Sequence, residues 1–194
     1  MQRLRVDLER DGVMEIVQFV PRTEPCLKVY RRGQLVWQGG KRIWQAWKLQ
    51  IIDLDDDRYC EFVLGVYRAT RFYPANNSLY VLGWNGRYAY RKWMGSRMAG
   101  WLHDFALARF RPDQPVRLAT LERDSAGQPR VRVYRWSGFG FVVCWQSQPL
   151  PATGRLQPMS HQVLLTIGRR RYRLYQPSER MEFALQEVKH AKAI

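Results

Sequence analysis

Two short acidic segments have the residue types and the spacing that bind a hard cation. Loop 1 is residues 7–15 (DLERDGVME) and loop 2 is residues 53–61 (DLDDDRYCE), and each has carboxylates at positions 1, 3, 5 and 9. Position 7 adds a backbone carbonyl. Ca²⁺ takes about six to eight oxygen ligands, and one tight loop supplies most of them. The two loops therefore predict two Ca²⁺ sites; the alternative is a pair of solvated acidic turns that bind nothing.

A third segment has the equivalent position in its repeat but carries a different charge. Loop 3, residues 109–117 (RFRPDQPVR), has arginines where three of the carboxylates belong. We expect that it does not bind Ca²⁺, and that an Arg guanidinium beside Asp113 supplies the positive charge instead. Residues 151–188 contain no acidic loop of this kind.

These loops belong to a repeat. Trp84, Gly86 and Trp93 match Trp136, Gly138 and Trp145 at an offset of 52 residues. Residues 27–37 form a third copy, and residues 172–183 form a weaker fourth copy. In each copy, a segment of β-forming residues with alternating side-chain character is followed by a turn, which is typical of a β-hairpin. Short apolar segments precede each hairpin, so the pattern predicts about four strands per repeat.

Four-stranded units at this spacing are typical of β-propeller blades. The sequence therefore predicts an all-β chain that forms a single propeller-like domain over residues 1–194. Its repeats are expected at about 1–46, 47–100, 101–150 and 151–188, with an insertion in 68–77 and a solvated tail at 189–194. An ordinary β-sandwich with similar hairpins is the alternative.

Residues 51–66, followed by the Trp84-Asn85-Gly86 turn and Trp93, resemble the FG-GAP or VCBS-type repeat of integrin-alpha-like β-propellers. The resemblance covers roughly residues 7–145. It implies structural Ca²⁺ and a non-catalytic role in adhesion or protein interaction. Arg58 departs from the family pattern, which prefers Gly at position 6, so we expect backbone strain there. The ligands that the resemblance implies are Asp7, Glu9, Asp11, the carbonyl of Val13 and Glu15, and Asp53, Asp55, Asp57, the carbonyl of Tyr59 and Glu61.

The formal net charge of +15, from 32 Lys and Arg against 17 Asp and Glu, predicts an anionic partner. An acidic protein or glycan surface is the first expectation. Nucleic acid is the alternative, because basic and aromatic residues interleave, as single-strand binding requires. The residues of this set are Arg68, Arg71, Arg87, Arg91, Lys92, Phe72, Tyr73, Tyr88, Tyr90 and Trp93.

No nucleophile-elbow, P-loop or paired-histidine metal motif is visible, so the sequence predicts a protein that is not an enzyme. No apolar run reaches the length of a membrane span. The N-terminus shows no secretory signal, which favours the cytoplasm, or an extracytoplasmic location if the chain is a processed fragment. Whether four blades close alone, or a second copy or a larger assembly completes the ring, stays open.

Overall fold

The computed structural model describes residues 1–69, 73–95, 98–178 and 182–188. These residues form sixteen β-strands and one 3₁₀ turn, Arg42–Trp44. The strands are β1 Gln2–Val6, β2 Glu15–Phe19, β3 Leu27–Arg31, β4 Gln34–Gly39, β5 Lys48–Ile52, β6 Glu61–Arg68, β7 Asn76–Trp84, β8 Ala89–Trp93, β9 Trp101–Ala108, β10 Arg117–Arg123, β11 Pro129–Trp136, β12 Phe141–Gln146, β13 Arg155–Met159, β14 Gln162–Ile167, β15 Arg170–Tyr175 and β16 Ala184–Glu187.

Each run of four consecutive strands makes one antiparallel sheet in which every strand pairs with its neighbours in sequence. The prediction of an all-β chain with four four-stranded units is confirmed. The arrangement of these sheets as the blades of a propeller stays a prediction. Residues 101–105 are the first part of β9.

The last hairpins of the first three sheets have the same register. Trp37 pairs with Val29, Trp93 with Val81 and Trp145 with Val133. In each hairpin a β-bulge lies between this pair and the turn. A bulge places two residues of one strand opposite one residue of its partner. The residue before each of these tryptophans is the extra one, and in β8 this residue is Lys92.

The chain divides into two compact units, Met1–Arg97 and Met98–Ile194. In the first unit the apolar face of β2 and β3 joins that of β6 and β7 in one core, where Val17, Phe62 and Leu64 are fully buried. The second unit has its own core, which includes Leu121 and Leu165. Burial of one such side chain contributes about 1.5–3 kcal/mol. Each unit therefore has an apolar core of its own.

No helix in the described part of the chain has the length and apolarity to cross a membrane. Arg71 and Phe72 of the basic and aromatic set lie outside the described residues, as do part of the predicted insertion and the tail at 189–194. The three cysteines are free. Cys26 and Cys60 are buried, and Cys144, the extra residue of the bulge in β12, is exposed.

Candidate cation site

Loops 1, 2 and 3 each join the first two strands of a sheet, and each leaves eight residues between those strands. Loops 1 and 2 also have the same backbone conformation. The fourth and sixth positions are left-handed in both: Arg10 and Gly12 have φ of 52° and 86°, and Asp56 and Arg58 have φ of 61° and 78°. The strain expected at Arg58 is therefore present, because a side chain disfavours this region. Pro112 occupies the fourth position of loop 3 and cannot adopt a positive φ.

The last carboxylate of each acidic loop holds the loop to its own sheet. Oε2 of Glu15 accepts a hydrogen bond from the backbone N–H of Leu8 at 3.0 Å. Oε2 of Glu61 accepts the equivalent bond from Leu54 at 2.7 Å. Both glutamates are fully buried. The sequence thus places a buried carboxylate at the floor of each loop, with its second oxygen left for another partner.

The other carboxylates bend the loops by hydrogen bonds to the backbone. Oδ1 of Asp11 accepts from the N–H of Val13 at 2.9 Å, and Oδ1 of Asp57 accepts from Tyr59 at 2.9 Å. Oδ2 of the first aspartate in each loop accepts from the residue at position 6, at 2.8 Å in loop 1 and 3.2 Å in loop 2. These shared bonds explain why the two loops have one conformation despite different sequences.

In loop 1 the positive charge is Arg31, at the end of β3. Its Nη1 lies 3.0 Å from Oε1 of Glu9, and its Nε lies 3.2 Å from Oε1 of Glu15. Nη2 makes a short ion pair with Asp11. Burial works against the charge of Arg31, but these three carboxylates outweigh it and raise the pKa of the guanidinium. One side chain therefore contacts three of the four carboxylates predicted as ligands and offsets one of their charges.

In loop 2 the positive charge is Lys92, the extra residue of the bulge in β8. Its Nζ lies 2.7 Å from Oδ2 of Asp55 and 2.9 Å from Oε1 of Glu61, with Asp57 farther away at 3.6 Å. The Lys92 side chain is only 14% exposed. The sequence places Lys92 in the basic and aromatic set of the nucleic-acid alternative and does not indicate its position inside loop 2. The bulge breaks the simple alternation of faces and turns the side chain toward the loop.

The two loops differ most at their first aspartate. In loop 1 both oxygens of Asp7 accept backbone hydrogen bonds, from Asp11 at 3.1 Å and from Gly12 at 2.8 Å. In loop 2 Oδ1 of Asp53 is buried and has no hydrogen-bond partner in the described part of the chain. A buried oxygen without a partner loses its hydration without compensation.

Loop 2 also brings carboxylates together closely enough to share an ion. Asp53, Asp55 and Glu61 each offer one oxygen, and these atoms lie within 4.8 Å of one another. Arg10, from loop 1, approaches Oδ2 of Asp53 at 3.1 Å. Among the described residues this is the one acidic group with that geometry, and it can hold a metal ion.

Burial sets the electrostatics of loop 2. Burial raises the pKa of Glu61 to about 7, although the hydrogen bonds from Lys92 and Leu54 oppose that rise. Burial alone would lower the pKa of Lys92, but Asp55 and Glu61 outweigh it and raise the pKa above its usual value. Lys92 thus keeps its charge at neutral pH, whereas Glu61 binds and releases a proton near neutral pH. In loop 1 burial also raises the pKa of Glu15.

Loop 3 contains the Arg–Asp ion pair expected from its sequence. Nε of Arg111 lies 3.4 Å from Oδ1 of Asp113, so an internal guanidinium accompanies the one carboxylate of this loop. Arg109 donates to the backbone carbonyl of Gln114 at 2.5 Å and so helps to close the turn.

The structure therefore brings together Asp53, Asp55 and Glu61 of the predicted ligands. It gathers Glu9, Asp11 and Glu15 around Arg31, and it uses Asp7 to hold the backbone of its own loop. Arg31, Lys92 and Arg10 were missed as members of the site, because no spacing in the sequence marks a cation that reaches a loop from another strand or loop. No protein-family model matches the chain, and no curated protein matches it.

Proposed function

We propose that the chain is a non-catalytic β-sheet scaffold for interactions, stabilised by a structural Ca²⁺ in loop 2. The observation that carries the proposal is the close group formed by Asp53, Asp55 and Glu61, in which one buried oxygen of Asp53 has no partner. All the donors are oxygens, which suit Ca²⁺ rather than the metals that prefer nitrogen or sulfur. Asp57 and the carbonyl of Tyr59 complete the proposed ligand set.

Lys92 is the internal substitute for this ion. A Lys ammonium is a compact point charge on a flexible stem, so it can leave the loop for solvent without disturbing β8. Calcium then places two charges where Lys92 placed one, among the four carboxylates at positions 1, 3, 5 and 9. The exchange lowers the apparent affinity for Ca²⁺, because the ion binds only when Lys92 has moved away.

A second ion in loop 1 belongs to the same proposal with a lower expected affinity. The Arg31 guanidinium keeps its charge at any physiological pH and engages three carboxylates through three different nitrogens. Both oxygens of Asp7 are already used by the backbone. An ion in loop 1 must therefore replace a guanidinium of permanent charge beside an aspartate whose two oxygens already accept hydrogen bonds.

The scaffold role includes a partner. Loop 1 holds four of the seventeen acidic residues and loop 2 holds five, so the rest of the surface is strongly basic. We propose that this surface binds an acidic protein or glycan, with the four sheets arranged as propeller blades. Completion of the ring by a second copy is part of this proposal. A monomeric 23.1 kDa particle in light scattering at high concentration would contradict that part.

Thermal melting tests the calcium proposal. We expect the melting temperature in excess Ca²⁺ to exceed that in EDTA, because a ligand that binds only the folded state stabilises it. Asp55→Asn should remove most of this gain. Asp113→Asn in loop 3 removes the same charge outside the site and should leave the gain intact. Superimposable melts of the native chain in EDTA and in Ca²⁺ would contradict the proposal.

Nucleic-acid binding is the second candidate, and a pocket lined by Arg68 and Arg91 favours it. Binding through phosphate contacts weakens linearly in log–log with salt concentration. We expect a steep slope for a single-stranded oligonucleotide if this function is correct. Tight binding of an acidic protein, with no oligonucleotide binding at low salt, would leave only the first candidate.

A further inference from the structure

A second charged feature of the first unit is a pocket of about 430 Å³. Its lining residues lie in the segment between β4 and β5, in the strands β6, β7 and β8, and at Met94 directly after β8. None of the lining residues belongs to loop 1 or loop 2. The pocket thus depends on a different set of side chains from the cation site.

The charged lining is wholly positive. Lys41, Arg68 and Arg91 line the pocket, and no Asp or Glu does. None of these three has a carboxylate partner in the described part of the chain, whereas Arg31 and Lys92 each have three. Three cations around one cavity repel one another unless an anion enters it.

One of these cations is held in place by the protein itself. Nη1 of Arg68 donates to the hydroxyl of Tyr80 at 2.8 Å, and its Nε donates to the carbonyl of Ala69 at 3.2 Å. Arg91 pairs with Leu82 across the β7–β8 ladder, two residues from Tyr80, and so lies on the same face of the sheet. Both arginines thus lie on the same face of one sheet, and the Arg68 guanidinium is already held in place, which lowers the entropic cost of binding.

The rest of the lining is apolar and aromatic. The rings of Trp44 and Tyr80 meet at right angles with centroids 5.3 Å apart, and both residues are buried. Ile43 is 64% exposed and Met94 is half-buried. The pocket therefore combines cations with an apolar wall, which is the chemistry of a site for an anion that carries an organic group.

We propose that this pocket binds an organic phosphate of roughly nucleotide size. Arginine matches the geometry of a phosphate with two parallel hydrogen bonds, and lysine adds a point charge. The volume lies within the range of about 300–1,000 Å³ usual for ligand pockets, which is more than a phosphate ion alone requires. The phosphate comes from a free nucleotide or from one nucleotide of a single strand.

Calorimetric titrations in EDTA test this inference and keep it separate from the calcium proposal. The probes are adenosine 5′-monophosphate, adenosine, inorganic phosphate and a ten-residue oligothymidylate. We expect the monophosphate to bind at least about tenfold more tightly than adenosine and more tightly than inorganic phosphate. Arg91→Gln and Lys41→Gln should each weaken it by about tenfold. Arg87→Gln removes an exposed cation that does not line the pocket and should change the affinity less than about twofold.

The outcomes divide cleanly. Sensitivity of the oligothymidylate to Arg91→Gln, with no monophosphate binding, supports the phosphate site and assigns it to single strands. Equal affinity for adenosine and its monophosphate would overturn the inference. So would equal losses in Arg91→Gln and Arg87→Gln, or the absence of binding by every probe up to about 5 mM, a concentration that detects even weak sites. Circular dichroism of each variant confirms that the β-sheets are retained.

Discussion

Loops 1 and 2 have left-handed residues at the same two positions and share their hydrogen bonds except the one to Oδ1 of the first aspartate, yet each contains a different internal cation. Arg31 enters loop 1 from the end of β3, whereas Lys92 enters loop 2 from the bulge of β8. Different strands thus supply a positive charge to the same position. The need for that charge follows from the carboxylates, and its source depends on which neighbouring strand has a basic side chain within reach.

The difference between the two cations decides what each loop can do. Arg31 makes ion pairs with three carboxylates and cannot lose its charge, so a competing ion displaces it less easily than it displaces a lysine. Oε1 of Glu15 has its ion pair with Arg31 but no hydrogen bond. Lys92 leaves a buried oxygen of Asp53 without a hydrogen bond. A divalent ion that replaces the internal cation therefore gains more binding free energy in loop 2 than in loop 1.

Removal of the internal cations should give the largest effect. Lys92→Met leaves Glu61 buried without its partner, and we expect a loss of about 2–3 kcal/mol in the free energy of unfolding in EDTA. Arg31→Met should also destabilise the chain. Excess Ca²⁺ should restore most of the loss in Lys92→Met and little of it in Arg31→Met, as measured by urea denaturation. Equal recovery in both variants would show that the loops are equivalent metal sites.

The pH dependence in EDTA should show the next largest effect. The pKa of Glu61 is about 7 in the folded chain, above its ordinary value of 4.5. The folded state therefore keeps a proton that the unfolded state has already released, and stability falls as pH rises from about 4.5 to about 7. We expect Glu61→Gln to remove about 2 kcal/mol of that fall.

Denaturation of both chains at pH 5 and pH 8 measures this difference. The control is Asp113→Asn in loop 3, which should keep the fall of the native chain. A Glu61→Gln chain that loses as much stability as the native chain between these pH values would contradict the assignment.

Exchange of the residues at position 6 should have a smaller effect, of opposite sign in the two loops. Gly12→Arg places a side chain at φ of 86° and should cost about 1 kcal/mol. No atom lies within 4 Å of the added Cβ, so the Cβ itself adds no clash to the backbone strain. Arg58→Gly relieves the same strain in loop 2 and should gain about 0.5 kcal/mol, because glycine also loses more entropy on folding. Urea denaturation gives the free energy of unfolding of both variants. A loss of stability in both would contradict the shared backbone conformation.

Alkylation of Cys60 should report the smallest effect. The thiol lies at the end of loop 2, and burial raises its pKa to about 11. We expect Ca²⁺ to slow its reaction with iodoacetamide a few-fold, because the thiolate is reached through local opening of the loop. Cys26 also has a pKa of about 11 by burial and lies outside the loops, so its rate should not change. Equal slowing at both cysteines would indicate a global effect instead.

The fold was largely predictable because its signals are local. Trp37, Trp93 and Trp145 repeat with their turns, and alternation of β-formers marks the hairpins. The first strands β1 and β13 were harder to place, because they are mostly exposed and only five residues long. The arrangement of the sheets depends on contacts distant in sequence, about which a repeat pattern carries no information.

The site was predictable only in part. The spacing of carboxylates identified both loops and the strained Arg58, but the neutralising side chains come from elsewhere in the chain. Lys92 reaches loop 2 because of a bulge that adds one residue between Arg91 and Trp93 in the ladder. Neither the register nor the bulge can be derived from residue types, so the competition between Lys92 and an ion becomes visible only in three dimensions.

Calorimetric titration of the metal-free chain with Ca²⁺ shows directly whether loop 2 binds the ion. We predict that loop 2 contributes the tightest site, with a stoichiometry of about one ion per chain in the first binding phase. Asp53→Asn should abolish that phase, and Asp7→Asn, at the equivalent position of loop 1, should retain it. Absence of heat in the native chain, or loss of the phase in Asp7→Asn but not in Asp53→Asn, would contradict the account.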